Sequence, residues 1–125
     1  MVKVIKDITE IPQDKKVIID FFADWCGPCK RIAPVFIELA EKFPDIVFLK
    51  VDVDEAEELA QGFEITSLPT FVFLHNGNIV HKMEGANLNE VITTLDQLNN
   101  LKDSNKKNKK DEEEQIEDEE DDDED

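Results

Sequence analysis

The sequence predicts an α/β fold built on a mixed sheet. Strand-like and helix-like segments alternate, one strand is apolar almost without interruption, and the last two strands flank Asn76-Gly77. Alternation implies parallel strands joined by helical crossovers. An unbroken apolar run implies a strand buried on both faces. Asn-Gly favours a type I′ turn, so the final pair of strands should be antiparallel.

Val2, Val4 and Ile5 make a short first strand, and Asp7 to Ile11 reads as one helical turn stopped by Pro12. The apolar run is Val17 to Phe22. After the cysteines, Ile32, Phe36, Leu39, Ala40 and Phe43 recur at helical spacing until Pro44, with Pro34 inside as an expected kink. Ile46 to Val51 is the next strand. Asp54 is then expected to cap a helix, with Glu57 reaching back, Ala56, Leu59, Ala60 and Phe63 facing inward, and Gly62 near the end. Phe71 to Leu74 and Asn78 to Met83 form the hairpin. Asn87 caps a last helix with Leu88, Val91, Ile92, Leu95 and Leu98 on its apolar face. The order is β-α-β-α-β-α-β-β-α.

Charge divides the 125-residue chain. Residues 1–100 carry 9 Lys/Arg against 17 Asp/Glu, and residues 101–125 carry 5 Lys against 14 acids, nets of −8 and −9 within the total of −17. Only Leu101 and Ile116 are large apolar residues in the second segment, too few to offset its ordering entropy. The expected organisation is one folded domain over 1–101 and a disordered Lys-then-Asp/Glu tail over 102–125. The tail reads as a solubilising extension, as an arm for basic partner proteins or, in its lysines, as a nuclear-import signal. Acidity argues against direct nucleic-acid binding. The N-terminus does not read as a signal or transit peptide, and no apolar run is long enough for a membrane span. The expected location is the cytoplasm, with the nucleus as a second one.

The only two cysteines lie in Trp25-Cys26-Gly27-Pro28-Cys29-Lys30, where the apolar strand runs into a helix. Free N–H groups and the helix dipole stabilise a thiolate there, so this C-x-x-C reads as a dithiol for disulfide exchange. The competing reading is half a zinc site completed by His75 and His81. Far more residues separate the two pairs than the roughly 12–15 of a zinc finger, and both histidines fall in the hairpin. Neither a metal nor a cofactor is expected. Asp20 interrupts VIIDFF, either as a buried acid or as an edge residue facing solvent. Lys50 by itself reads as an exposed strand lysine. Trp25 reads as packing or as a substrate contact beside the thiol, and Pro69 as a strand-start proline.

The hexapeptide W-C-G-P-C-K after V-I-I-D-F-F-A, V-D-V-D at 51–54, S-L-P-T at 67–70 and E-G-A at 84–86 follow one another in thioredoxin order. The chain resembles the thioredoxin family over residues 1 to about 100. The stretch before the second strand is shorter than the family's usual one, and the tail has no counterpart there.

The resemblance implies the thioredoxin fold, a five-stranded mixed sheet flanked by four helices with a redox site at one end. It implies Cys26 as attacking thiol, exposed and ionised at rest, and Cys29 as resolving thiol, the two cycling through a Cys26-Cys29 disulfide. Trp25, Gly27, Pro28, Leu68, Pro69, Gly85 and Ala86 would form the substrate groove, with Pro69 as the family's cis-proline. Asp20 matches the family's buried acid, a proton acceptor for Cys29, and Lys50 the lysine associated with it. Gly-Pro between the cysteines resembles the reducing members, whereas isomerases typically carry Gly-His. The implied function is a protein-disulfide reductase acting on disulfide-containing proteins and recharged by a thioredoxin reductase. The alternative is an adaptor or assembly subunit that binds through the acidic tail.

For any thiol, lowering the pKa from about 8.5 to about 7 raises the thiolate fraction at neutral pH roughly 16-fold. Intrinsic nucleophilicity falls about 5-fold over the same change, so the net gain is only about 3-fold. Positioning in the groove must supply more of the rate.

Overall fold

Strand β2, Lys16–Phe22, is the centre of the sheet because, past Lys16 at its start, nothing in it objects to burial on both faces except Asp20. A computed structural model describes residues 1–102 of the chain. Strands β1 (Val2–Val4), β3 (Ile46–Asp52), β2, β4 (Thr70–His75) and β5 (Asn78–Glu84) lie side by side in the order β1-β3-β2-β4-β5. The first three are mutually parallel, β4 runs antiparallel to β2, and β5 antiparallel to β4. The mixed five-stranded sheet is therefore as expected. Asn76 (φ 53) and Gly77 (φ 84) both occupy the left-handed region, the signature of a type I′ turn.

Strand alternation sorts the core into two layers. Ile18, Phe48, Phe71 and Phe73 point to the face covered by α1 (Gly27–Lys42) and α3 (Leu88–Asn99). Ile19, Phe21, Leu49, Val51 and Val72 point to the other, covered by α2 (Glu57–Gly62) and the N-terminal segment. Phe36 of α1 sets its ring at a tilt 5.0 Å from that of Phe48 and 6.1 Å from that of Phe71, spacings at which aromatic pairs add to simple burial. Helix α1 continues through Pro34 for 16 residues. Ile92 of α3, expected on the apolar face, is exposed, while Thr94 is buried.

Two expected helical features are corrected. The segment between β1 and β2 is a three-residue 3-10 turn, Ile8–Glu10, so the described residues hold three α-helices and not four. Asp7 and Glu10 close a capping box on it, and Pro12 holds Ile11 in extended backbone (φ −87, ψ 118), which ends the turn. Nor does Asp54 cap α2. The cap residue is Ala56, with no side-chain hydrogen bond, because Asp52 Oδ1 accepts the Asp54 N–H at 2.9 Å and keeps the chain in a turn. Asn87 does cap α3, accepting the Glu90 N–H.

The far end of α3 is tied down by Lys16, whose Nζ donates to the carbonyls of Asn99 (2.8 Å) and Leu101 (2.6 Å). The tail expected over 102–125 lies outside the described residues apart from Lys102. Among the described residues no helix is long and apolar enough to cross a membrane.

Candidate active site

The site grows from the β2–α1 junction. Cys26 N–H donates to Ala23 C=O at 3.1 Å, turning the chain, and Cys26 becomes the N-cap of α1. Its Sγ accepts the Cys29 N–H at 3.2 Å, one of the donors a helix start leaves unpaired. Gly27 and Pro28 occupy the first two helical positions, where a missing proline N–H costs nothing. Cys26 and Cys29 are joined as a disulfide.

Both cysteines are nearly buried, Cys26 at 5% and Cys29 at 4% exposure, packed with Ala23, Phe22, Val53 and Leu68. Access is given by a cleft of about 500 Å³, which Cys26 lines and Cys29 does not.

The cleft is walled by Trp25, Gly27 and Pro28 from the β2–α1 junction, by Ile65, Thr66, Ser67 and Leu68 from the loop before β4, and by Val53. Trp25, Gly27, Pro28 and Leu68 were expected there. Pro69, Gly85 and Ala86 do not line it, although Gly85 N–H donates to Pro69 C=O at 2.8 Å and so fixes the loop behind. The Leu68-Pro69 peptide is cis. Val53, Ile65, Thr66 and Ser67 were not among the expected site residues, although Val53 lies within V-D-V-D, Ser67 opens S-L-P-T, and Ile65 and Thr66 directly precede it.

Asp20 lies on the α1 face of β2, opposite Lys50 on β3 and Phe71 on β4. It is fully buried, and neither carboxylate oxygen has a hydrogen-bond partner among the described residues. Desolvation pushes its pKa up from 3.8 to about 7, and the Lys50 charge opposes part of that rise. Lys50 is half-buried, with its ammonium 4.4 Å from the centre of the Phe22 ring. The reading of Asp20 as a solvent-facing edge residue is excluded.

His75 ends β4, paired with Lys16 at the start of β2, the opposite end from the cysteines. His81 packs its ring at a tilt against Phe73 and meets Glu90 at 3.5 Å. The fold thus keeps both histidines off the dithiol.

Asp54, released from capping, accepts the indole N–H of Trp25 at 2.9 Å. Trp25 is 71% exposed, so this bond is what holds the ring at the mouth of the cleft. Asp54→Ala should free it, and because Trp25 is the only tryptophan, its fluorescence reports the change directly. Steady-state anisotropy should fall, while stability moves by no more than about 1 kcal/mol. An unchanged anisotropy would mean that packing alone holds the ring.

Residues 5–97 match the thioredoxin family. The chain belongs to that family. It is 48% identical over 87 residues to thioredoxin H5 of Arabidopsis thaliana, spanning 70% of this chain and 72% of that protein. It is 43% identical over 93 residues to the thioredoxin of Ophiophagus hannah, spanning 70% of this chain and 89% of that one. A solved structure of Plasmodium falciparum thioredoxin superposes with a TM-score of 0.72 at 42% identity, covering 76% of this chain and 97% of that one. With its cysteine pair placed as a thioredoxin's, this chain is a protein-disulfide oxidoreductase. Its substrates are disulfide-containing proteins, and a separate reductase restores its thiols.

Proposed function

We propose that Cys26 attacks and Cys29 resolves. The Cys26 thiolate attacks one sulfur of a substrate disulfide, whose S–S bond breaks and whose departing sulfur takes up a proton. Cys29 then gives up its proton and attacks Cys26 Sγ. The mixed disulfide breaks, the second substrate thiol leaves, and the Cys26–Cys29 disulfide forms. Two electrons from an NADPH-dependent thioredoxin reductase reopen it. The observation that carries the assignment is the cleft that reaches Cys26 and not Cys29, with Cys26 Sγ at a helix N-terminus accepting the Cys29 N–H. Trp25, Gly27, Pro28 and Leu68 receive the substrate chain, while Pro69, Gly85 and Ala86 support it from behind. Asp20, poised near neutrality, accepts the Cys29 proton, and Lys50 keeps its pKa from rising further. No observation favours the adaptor reading.

The domain ends at residue 101, where Lys16 closes α3, and residues 102–125 act apart from the chemistry. Their charge suits basic partner proteins, and the chain works in the cytoplasm, with the lysine run as a route to the nucleus. One assay tests the reading. With NADPH and a thioredoxin reductase, the full chain and a chain ending at residue 101 should reduce insulin disulfides at similar rates. Their melting temperatures should agree within about 3 °C, under 1 kcal/mol for a domain of this size. Any binding to basic proteins should weaken on truncation, and less so as salt shortens the Debye length below about 8–10 Å. Failure to reduce insulin would overturn the function, and a larger drop in melting temperature would overturn the domain boundary.

A further inference from the structure

The wall formed by residues 65–68 hangs between the end of α2 and the start of β4, and charged side chains from the neighbouring edge strand hold it. Lys82 and Glu84 stand two apart on β5, on the same face, opposite Val72 and Thr70 of β4. Lys82 Nζ donates to Phe63 C=O at 3.0 Å and Glu64 C=O at 3.1 Å. These carbonyls follow the last turn of α2, where the helix leaves acceptors unpaired and partly negative. Between them lies Glu64 at φ 56, a left-handed conformation unfavourable to a residue with a Cβ. Next along the loop, Thr66 Oγ1 meets Glu84 Oε2 at 3.4 Å. The loop leaves its helix through a bend that is costly in itself, and an ammonium from another strand binds the carbonyls on either side of that bend.

We propose that Lys82, seconded by Glu84, is a positioning residue for protein substrates: it fixes the 65–68 wall against which the chain flanking the target disulfide lies. The inference rests on the cleft being the substrate groove. Lys82 does not line the cleft, so it acts through the loop and not on the sulfurs. A protein disulfide, which must seat its flanking chain, feels a loosened wall. A small aromatic disulfide, which needs only access to Cys26, does not.

The test uses the full chain, fully reduced, without a reductase that would itself dock at the cleft. Second-order rate constants are measured for insulin and for 5,5′-dithiobis(2-nitrobenzoate). Lys82→Met, and Lys82→Gln as a second charge-free variant of similar length, should slow insulin reduction about 3- to 10-fold, the scale of one or two lost hydrogen bonds. The small disulfide should react within about twofold of the parent rate. Lys82→Arg, which keeps donors within reach of both carbonyls, should restore insulin reduction. Equal losses on both disulfides, or a lower melting temperature with an unchanged rate ratio, would overturn the proposal by making Lys82 merely structural. A parent protein inactive on insulin would instead fail the proposed function, so the two failures are distinguishable.

Discussion

Cys29→Ser should leave substrate proteins attached to Cys26 as mixed disulfides that only added thiol releases, and multiple turnover should fall to background. On the proposed assignment the first exchange needs Cys26 alone, which lines the cleft and sits at the helix N-terminus. The second needs a sulfur at position 29, and serine cannot supply one. Cys26→Ser should capture nothing, because Cys29 is 4% exposed and outside the cleft. Non-reducing electrophoresis with mass spectrometry of the adduct site reads both outcomes. Adducts on Cys29 in the Cys26→Ser protein, at levels matching the first variant, would reverse the roles.

Asp20→Asn should stabilise the protein and slow it. The buried carboxyl has its pKa raised from 3.8 to about 7, so between those limits the folded chain holds a proton that the unfolded chain has released. Its penalty is therefore absent below about pH 4, grows as pH rises, and levels off above about pH 7. At about 1.4 kcal/mol per pH unit the full penalty is about 4 kcal/mol. The asparagine amide is also costly to bury without a partner, so the net gain at pH 8 should be about 2–3 kcal/mol, or about 10 °C or more in melting temperature. Denaturant titrations of the disulfide form at pH 4, 6 and 8 should show the parent losing stability across that range. The variant should be flatter there. Disulfide reduction near pH 7 should slow by about tenfold or more, the low end of what a positioned base contributes. Equal stability at pH 8 together with equal rates would remove Asp20 from the mechanism.

Gain of stability and loss of rate in one substitution follow from one cause. A carboxylate with no hydrogen-bond partner among the described residues, in the central strand of a sheet, is a poor choice for folding. The same dry surroundings bring its proton affinity to neutral pH, where a base for a thiol is useful. Lys50 on the adjacent strand moderates the effect without neutralising it.

What the sequence determined by itself was local. Apolar runs and period-3.6 apolar patterns placed the strands and the longer helices to within a residue or two, because those patterns are the imprint of burial on one element at a time. Asn76-Gly77 specified its turn because few residues tolerate two successive positive φ angles. C-x-x-C after an apolar strand announced the dithiol. Competition between nearby groups misled the same reading: Asp54 has the look of a helix cap, yet Asp52 takes its N–H and Trp25 its carboxylate. The turn at Ile8–Glu10 likewise follows from a capping box and Pro12 acting together within too few residues for a helix.

Only the tertiary structure decided what depends on which strands are neighbours. Strand order sets β3 and β4 on either side of β2, so Asp20 is not an edge residue, and the helices packed on its face of the sheet make it a buried acid. Strand order also brings Lys50 opposite Asp20, β5 alongside the 63–68 loop, and the loop together with Trp25 to form the cleft. Burial and proton affinity are properties of everything packed around a side chain. A pattern read along one strand cannot contain them.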